Sequence, residues 1–206
     1  MSQFRQFKLG LIACVAGALL LPNPALAQFS ESYKFLESVK KKEGTEVTEA
    51  LDEPGTTIIN TRDVTTGQSA LHIVVARRDR TWIAFLIAKG ANVNIRDFNG
   101  VTPLVLASNM NFVEGAELLI EKGARVNDAN QAGETPLITA VHNRNVALIR
   151  ILLKAGADPD RADNSGRTAR DYATLEGRGS TLLNEIEANA KPASAATASP
   201  SYGPAL

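Results

Sequence analysis

The stretch Asp97-Phe98-Asn99-Gly100-Val101-Thr102-Pro103-Leu104 combines a tight turn with the start of a helix. Asn99-Gly100 supplies residue types that adopt the positive φ angles of a hairpin turn. Thr102 is a good N-cap, because its hydroxyl can accept a hydrogen bond from a backbone N–H of the first helical turn. Pro103 suits the first helical position, where its missing N–H costs nothing, and the leucine after it begins an apolar face.

The same turn-and-cap pattern recurs at a fixed spacing along the chain. Its glycines, at positions 67, 100, 133 and 166, lie 33 residues apart. An internal period of this length indicates a solenoid, in which stacked helix pairs bury a core that one pair could not form alone. The pattern assigns a structural role to these residues: Gly67, Gly100, Thr102, Pro103, Leu104, Gly133, Thr135, Pro136, Leu137, Gly166 and Thr168.

The composition is typical of a globular protein without a basic surface. The 206 residues are 44% hydrophobic and 21% charged, and their formal net charge is zero. Nucleic-acid binding usually needs a basic stripe, and binding of single strands needs stacking aromatic side chains, which make up only 5% of this chain. We therefore expect no nucleic-acid partner.

The N-terminal segment has the parts of an export signal. Arg5 and Lys8 form a short positive region, and the apolar run Leu9–Leu21 is too short to span a bilayer. Ala25-Leu26-Ala27 follows as an A-x-A cleavage site. We predict signal cleavage after Ala27, so that the mature, exported chain begins at Gln28 and contains no integral membrane span.

Two anchored alternatives remain open. Leu11-Ile12-Ala13-Cys14 resembles a bacterial lipobox, which would make Cys14 a lipidated first residue, although the apolar run continues beyond the cysteine. The N-terminal segment could also stay uncleaved as a helical anchor. Either arrangement would make the protein an envelope-anchored tether. Cleavage after Ala27 instead removes the only cysteine, and with it any disulfide.

The periodicity divides the chain into a signal, a helical domain and a tail. We expect a signal peptide at 1–27, a repeat domain at 28–188 and a disordered Ala/Ser/Pro tail at 189–206. The predicted repeats are a divergent first repeat at 33–60, repeats at 61–94, 95–127 and 128–160, and a C-terminal cap repeat at 161–188. In the last repeat Arg170 stands where the others carry leucine, as the polar outer face of a terminal unit requires.

The first predicted helix, Tyr33–Lys42, ends in three consecutive lysines. Cations suit a helix C-terminus, because they complement the partial negative charge of the last carbonyls. We therefore interpret Lys40-Lys41-Lys42 as a solvated helix end. A patch that binds anionic partners is the alternative.

With these motifs in place, the chain resembles the ankyrin-repeat family. The family pattern is a turn with Asp-x-x-Gly, then Thr-Pro-Leu-His-x-Ala, a Leu-rich second helix and Gly-Ala-x-x-Asn. This chain has Asp97 and Gly100 in one turn, Thr135-Pro136-Leu137 at a helix start and Gly123-Ala124 with Asn127 after a second helix. The resemblance implies an all-α ankyrin-repeat solenoid of stacked helix-turn-helix units, joined by short β-hairpin-like turns.

The resemblance also implies a function. Protein binding is the family's usual role, so we expect a partner protein, a monomeric chain, no cofactor and no metal. Export combined with these repeats resembles the periplasmic ankyrin proteins of Gram-negative bacteria, and we therefore expect the protein in the periplasm.

The chain departs from the family pattern between its helices. The family's histidine is present only as His72, whose ring we expect to bond the backbone of a turn. The glycine that usually separates the two helices is replaced by Arg78, Asn111 and Arg144. Because non-glycine residues rarely adopt a left-handed backbone, these turns are either strained or differently shaped.

Two further departures concern the first repeats. The turn Asp63–Gly67 contains one residue more than Asp97–Gly100, so its tip should differ. The divergent first repeat fits the frame when Leu36 is placed at the register of Leu71, and Val39 at the register of Val74.

The architecture restricts ligand binding to the turn tips and the outer side of the first helices, which line a concave face. Phe98 and Met110 stand at positions expected to face solvent there, and with Arg96 they form a reasonable hot-spot composition. Phe98, Asn99 and Val101, with Arg96 just before them, are expected to vary without harm to the fold. The proposed partner-binding residues are Arg96, Phe98, Asn99, Val101, Met110, Gln131, Glu134 and His142.

An enzyme is the least favoured class. His142 is expected in the groove, where its imidazole could titrate near neutral pH, but no nucleophile or metal-ligand partner is adjacent to it in sequence. The chain contains no Gly-rich phosphate loop and no Cys/His metal spacing. We therefore predict no catalytic residue and no metal site.

Overall fold

The computed structural model describes residues 24–175, 177 and 180–190, with side chains from residue 31 onward. The predicted lipidation site Cys14 and most of the predicted tail lie outside these residues. A short 3-10 helix, Ile58–Asn60, follows the first helix pair. The described residues form these α-helices: α1 Pro24–Lys41, α2 Gly44–Asp52, α3 Ala70–Ala76, α4 Arg80–Ala88, α5 Pro103–Asn109, α6 Val113–Glu121, α7 Pro136–His142, α8 Val146–Lys154, α9 Ala169–Leu175 and α10 Thr181–Asn189.

The helices stack as two layers of a repeat solenoid. Each odd-numbered helix pairs with the helix that follows it, and it also packs against the next odd-numbered helix. The even-numbered helices from α4 to α10 form the second layer. Among the described residues the only β-type pairing outside the helices is the isolated bridge between Arg62 and Ser69. The predicted all-α solenoid is confirmed.

The core runs continuously between the two layers. Leu104 and Leu137 occupy the same register in successive repeats, and each is at most 1% exposed. The small residues Ala107, Ala140 and Ala173 are fully buried, which allows the odd-numbered helices to approach closely. None of the helices in the described part of the chain combines the length and apolarity that spanning a bilayer requires.

The predicted caps form at the starts of α5 and α7. The Thr102 hydroxyl oxygen accepts from the backbone N–H of Val105 at 3.3 Å, and the Thr135 hydroxyl oxygen accepts from that of Ile138 at 3.2 Å. The proline after each threonine takes the first helical position. Each cap satisfies one backbone N–H that the helix itself leaves unpaired.

His72 joins two repeats from inside the core. Its Nδ1 accepts from the backbone N–H of Ser69 at 3.2 Å, so the proton resides on Nε2, which donates to the Val101 carbonyl oxygen at 2.9 Å. The expected bond to turn backbone is therefore present. Burial lowers the pKa of His72 below its ordinary value of 6.5, because desolvation disfavours the charged ring by more than the bond to the Val101 carbonyl and the nearby Asp97 favour it.

The turns between paired helices are left-handed rather than differently shaped. Arg78, Asn111 and Arg144 have φ angles of 56°, 52° and 54°, and Lys42 has the same conformation at 63°. Each non-glycine residue in this region costs about 1 kcal/mol or more. Lys42 therefore identifies the corresponding turn of the first repeat, which the sequence pattern did not reveal.

The first repeat differs from the prediction in extent and register. α1 begins at Pro24 rather than near Tyr33, since proline suits a first helical position and no helix breaker follows before Lys41. The predicted cleavage site after Ala27 thus lies within the first turn of α1. Because the backbone N–H of Lys42 bonds to Val39 as that of Arg78 bonds to Val75, Val39 matches Val75 and not Val74.

Candidate interaction surface

Successive hairpin turns are joined by one backbone hydrogen bond each. The N–H of Phe98 donates to the Thr66 carbonyl oxygen at 3.1 Å, and the N–H of Gln131 donates to that of Asn99 at 2.9 Å. The N–H of Asn164 donates to the Ala132 carbonyl oxygen at 3.0 Å. The four turn tips therefore form one row along the solenoid.

The first residue of each turn holds the turn together. The Asp97 carboxylate accepts from the backbone N–H groups of Asn99 and Val101, each at 2.8 Å. Asp63 and Asp163 do the same in the first and last turns, and hydrogen bonds from Thr66 lower the pKa of Asp63. Bonds from Ser165 and Tyr172 lower the pKa of Asp163 to about 2. Only Gly100, and not Asn99, takes the positive φ angle expected of that pair.

The side chain of Arg96 connects two repeats and is not free at the turn tip. Its Nη1 donates to the carbonyl oxygens of Ala129 at 2.6 Å and Gly100 at 3.0 Å, and its Nη2 lies 3.3 Å from Asp128 Oδ2. Gln131 Nε2 likewise donates to the Phe98 carbonyl oxygen at 2.6 Å. Arg96 and Gln131, which were expected as partner contacts, therefore use these side-chain groups to join neighbouring repeats.

Exposed apolar side chains gather at the tips of the first two turns. Phe98 is 48% exposed, Val64 is 60% exposed and Tyr33, on the neighbouring helix α1, is 61% exposed. The Arg62 guanidinium lies 5.7 Å from the centre of the Phe98 ring. Arg62 also lines a shallow depression of about 40 Å³ together with Tyr33 and Val64. We call Tyr33, Arg62, Val64 and Phe98 the N-terminal tip patch.

The sequence interpretation found only one member of this patch. Phe98 was predicted to face solvent, and the structure confirms that it does. Val64 lies in the Asp63–Gly67 turn, and the one additional residue of that turn was the available signal. Tyr33 was missed because the first repeat does not keep the 33-residue period.

Met110 lies apart from the N-terminal tip patch. Phe98 precedes helix α5 and Met110 follows it, so a helix of about 10 Å separates them. Met110 is only partly exposed and packs against the core. The structure therefore does not bring Met110, Arg96 and Phe98 together as the single exposed cluster that was expected.

A polar cluster instead joins the third and fourth turns to helices α7 and α9. His142 Nδ1 lies 3.9 Å from Glu134 Oε1, and its ring centre lies 4.3 Å from that of Tyr172, edge to face. The Tyr172 hydroxyl donates to Asp163 Oδ2 at 2.7 Å, and the Ser165 hydroxyl donates to Asp163 Oδ1 at 2.7 Å. The Tyr172 and Ser165 hydroxyls thus both donate to the Asp163 carboxylate.

No group of three or more His, Cys, Asp or Glu side chains within the described ranges is arranged to hold a metal ion. The remaining tip residues from the prediction are Asn99, which is exposed, and Val101, which is half-buried. The carbonyl oxygen of each accepts a hydrogen bond from a neighbouring repeat or helix. Their side chains therefore remain candidate contacts, while their backbone groups belong to the fold.

Comparison with known proteins extends the repeat pattern over most of the helical region. A family model for ankyrin repeats (3 copies) matches residues 37–130, and one for ankyrin repeats (many copies) matches residues 119–173. An ankyrin repeat protein of Acanthamoeba polyphaga mimivirus is 45% identical over 60 residues. That match covers 29% of this chain and 8% of the viral protein, so the two share a short stretch of repeats.

Proposed function

The chain belongs to the ankyrin-repeat family, and on that premise we propose that it is an exported module that binds a partner protein through its N-terminal tip patch. Ankyrin-repeat domains are typically binding modules without catalysis, and we assign no catalytic role to this one. One observation carries the choice of surface. Three of the four exposed large hydrophobic residues in the described part of the chain, Tyr33, Val64 and Phe98, lie around Arg62.

The patch has the composition and rigidity of a binding hot spot. Tyrosine and arginine are the residues that most often dominate binding energy at interfaces, together with other aromatic side chains. Phe98 is already positioned, because its backbone N–H bonds to Thr66 and its ring lies over Gly67. A partner that covers Phe98 therefore loses little side-chain entropy in ordering it.

Photo-crosslinking in cells that produce the protein tests the surface. The crosslinking amino acid p-benzoylphenylalanine replaces Val64 in one variant and Ala132, an exposed tip residue of the third turn, in the matched control. We expect a discrete crosslinked protein from position 64 and none from position 132. Equal products from both positions, or no product from position 64, would contradict the proposal.

Export to the periplasm is the second part of the proposal, and the N-terminal segment supports it. Arg5, Lys8, the apolar run Leu9–Leu21 and the site at Ala27 follow the order of a cleavable signal. Mass spectrometry of the protein recovered from a periplasmic extract should give Gln28 as its first residue. A lipid on Cys14, or an intact N-terminus in the membrane fraction, would instead establish the envelope-anchored tether.

A further inference from the structure

Cations gather at the turns between the paired helices of the first two repeats, at the opposite end of α3 from the tip patch. The first of these turns carries three consecutive lysines, and the second carries three arginines around Asp79. The carboxylates in the same segments are Glu37, Glu43 and Asp79. We call Lys40, Lys41, Lys42, Arg77, Arg78 and Arg80 the basic edge.

The two turns come together in space through a shared carboxylate. Lys42 Nζ lies 3.1 Å and Arg77 Nε lies 3.3 Å from Asp79 Oδ2, and Arg77 Nη1 donates to the Val39 carbonyl oxygen at 2.6 Å. The sequence separates these groups by more than thirty residues, whereas the left-handed conformations of Lys42 and Arg78 place them at equivalent positions in neighbouring repeats. The lysine trio is thus half of a larger basic surface.

The acidic groups present do not neutralise this surface. Glu37 pairs with Lys40 at 2.8 Å, and Asp79 is shared between Lys42 and Arg77. Arg78 donates to the carbonyl oxygen of Met110, which carries no charge to offset its own. Burial raises the pKa of Asp79. The hydrogen bonds from Lys42 and the Trp82 N–H, together with the nearby positive charges, lower that pKa by more than burial raises it, so it lies below its ordinary value.

Two cations of the basic edge have no partner at all within the described residues. Lys41 and Arg80 are exposed, and their side chains make no hydrogen bond or ion pair there. Lys41 is adjacent in sequence to Lys42 and Arg80 to Asp79, and Lys42 and Asp79 form the ion pair that joins the two turns. Lys41 and Arg80 are therefore the positive charges of the basic edge that are most available to a negatively charged ligand.

The extent of the basic edge favours a short acidic peptide over other polyanions. Neighbouring turns of a helical stack lie about 10 Å apart, which matches three or four extended residues. The next turn, with Asn109, Met110 and Asn111, is uncharged and offers amide groups rather than further cations. A nucleic acid would use a basic stripe that continues along the solenoid, and a lipid surface would favour exposed apolar groups beside the cations.

We propose that the basic edge is a second docking site, which binds an acidic segment of a protein through Lys41, Arg80 and the positive field around Asp79. The site is separate from the N-terminal tip patch and does not depend on the function proposed for that patch. Binding is electrostatic, and it therefore weakens as salt concentration rises.

Fluorescence anisotropy with a labelled peptide of sequence Glu-Glu-Ser-Glu-Glu-Ser tests the site on the full chain. We expect binding at low ionic strength that decreases about tenfold in the double variant Lys41→Gln/Arg80→Gln. The control Lys122→Gln/Arg161→Gln removes two exposed cations without partners elsewhere on the surface and should bind as the wild type does. Circular dichroism establishes that both variants keep the helical fold.

Three results would overturn the proposal. One is equal loss of affinity in the two double variants, since the net charge and not the basic edge would then determine binding. Another is equal binding of the peptide with Gln in place of Glu. The last is tighter binding of phosphatidylglycerol vesicles or duplex DNA than of the acidic peptide, at matched charge concentration. The variant Tyr33→Ala/Phe98→Ala should bind the acidic peptide normally, which separates this site from the tip patch.

Discussion

The first two hairpin turns and the last two share a backbone but differ in what they present to solvent. In both regions the first residue of the turn accepts backbone N–H groups, and one hydrogen bond joins each turn to the next. The first two turns expose Val64 and Phe98, whereas the last two lie beside His142 of α7 and Tyr172 of α9 and a network of carboxylates and hydroxyls. The difference shows that turn formation leaves other positions of the same short segment exposed, and the proposed recognition site uses those positions.

Substitution of the turn glycines tests the difference between the first and the last turns most strongly. Gly67 has a φ angle of 74°, and an added Cβ would lie 2.6 Å from the backbone nitrogen of Phe98. Gly166 has a φ angle of 79°, but an added Cβ would meet nothing within 4 Å. Gly67→Ala should therefore lower the free energy of unfolding by about 2 to 4 kcal/mol, and Gly166→Ala by only about 1 kcal/mol.

Urea unfolding followed by circular dichroism measures both glycine variants. The backbone conformation is nearly the same at the two positions, so the difference in unfolding free energy isolates the close approach of the second turn to the first. Equal destabilisation would show that the Phe98 turn can move away, and that the tip patch is not held as tightly as the structure indicates.

A smaller effect is expected from His72, which connects the first two turns. Its pKa is lowered in the folded state, so the unfolded chain binds the proton more readily. Stability from His72 is therefore complete above its ordinary pKa of 6.5 and declines as the pH falls below that value. The loss cannot exceed about 1.4 kcal/mol per pH unit for one proton.

Thermal unfolding at about pH 7.5 and about pH 5.5 checks this dependence. The decrease in Tm on acidification should be smaller in His72→Gln than in the wild type, because the glutamine does not titrate. His142→Gln is the control, since its side chain is exposed whereas that of His72 is buried. If the decrease in Tm on acidification is the same in His72→Gln and in the wild type, the buried histidine does not cause the pH dependence.

Much of the fold could be predicted because its determinants are local. The threonine caps, the prolines at first helical positions and the turn glycines all act within a few residues of themselves, so a 33-residue register reveals them. The polarity of Arg170, which pairs with Asp160 at 2.9 Å, also follows from its terminal position. Left-handed turns at Arg78 and Arg144 were one of two alternatives, and only the backbone geometry decides between them.

The candidate surface was less predictable because its contacts cross repeats. Arg96 was interpreted as a partner contact, yet it reaches the Ala129 carbonyl oxygen in the next repeat, and no pattern of neighbouring residues encodes that distance. Tyr33 and Lys42 lie in the divergent first repeat, where the spacing to the second repeat is irregular. The tip patch and the basic edge both include residues from this repeat, so neither was visible as a whole in the sequence.

The central claim is that partner recognition resides at the first two turns and not at the last two. Isothermal titration calorimetry with the partner crosslinked from position 64 tests it most directly, with Tyr33→Ala/Phe98→Ala compared against Asn164→Ala/Arg167→Ala. We predict about 100-fold or greater loss of affinity in the first double variant and less than about threefold loss in the second. Equal losses, or a larger loss at the last turn, would contradict the account.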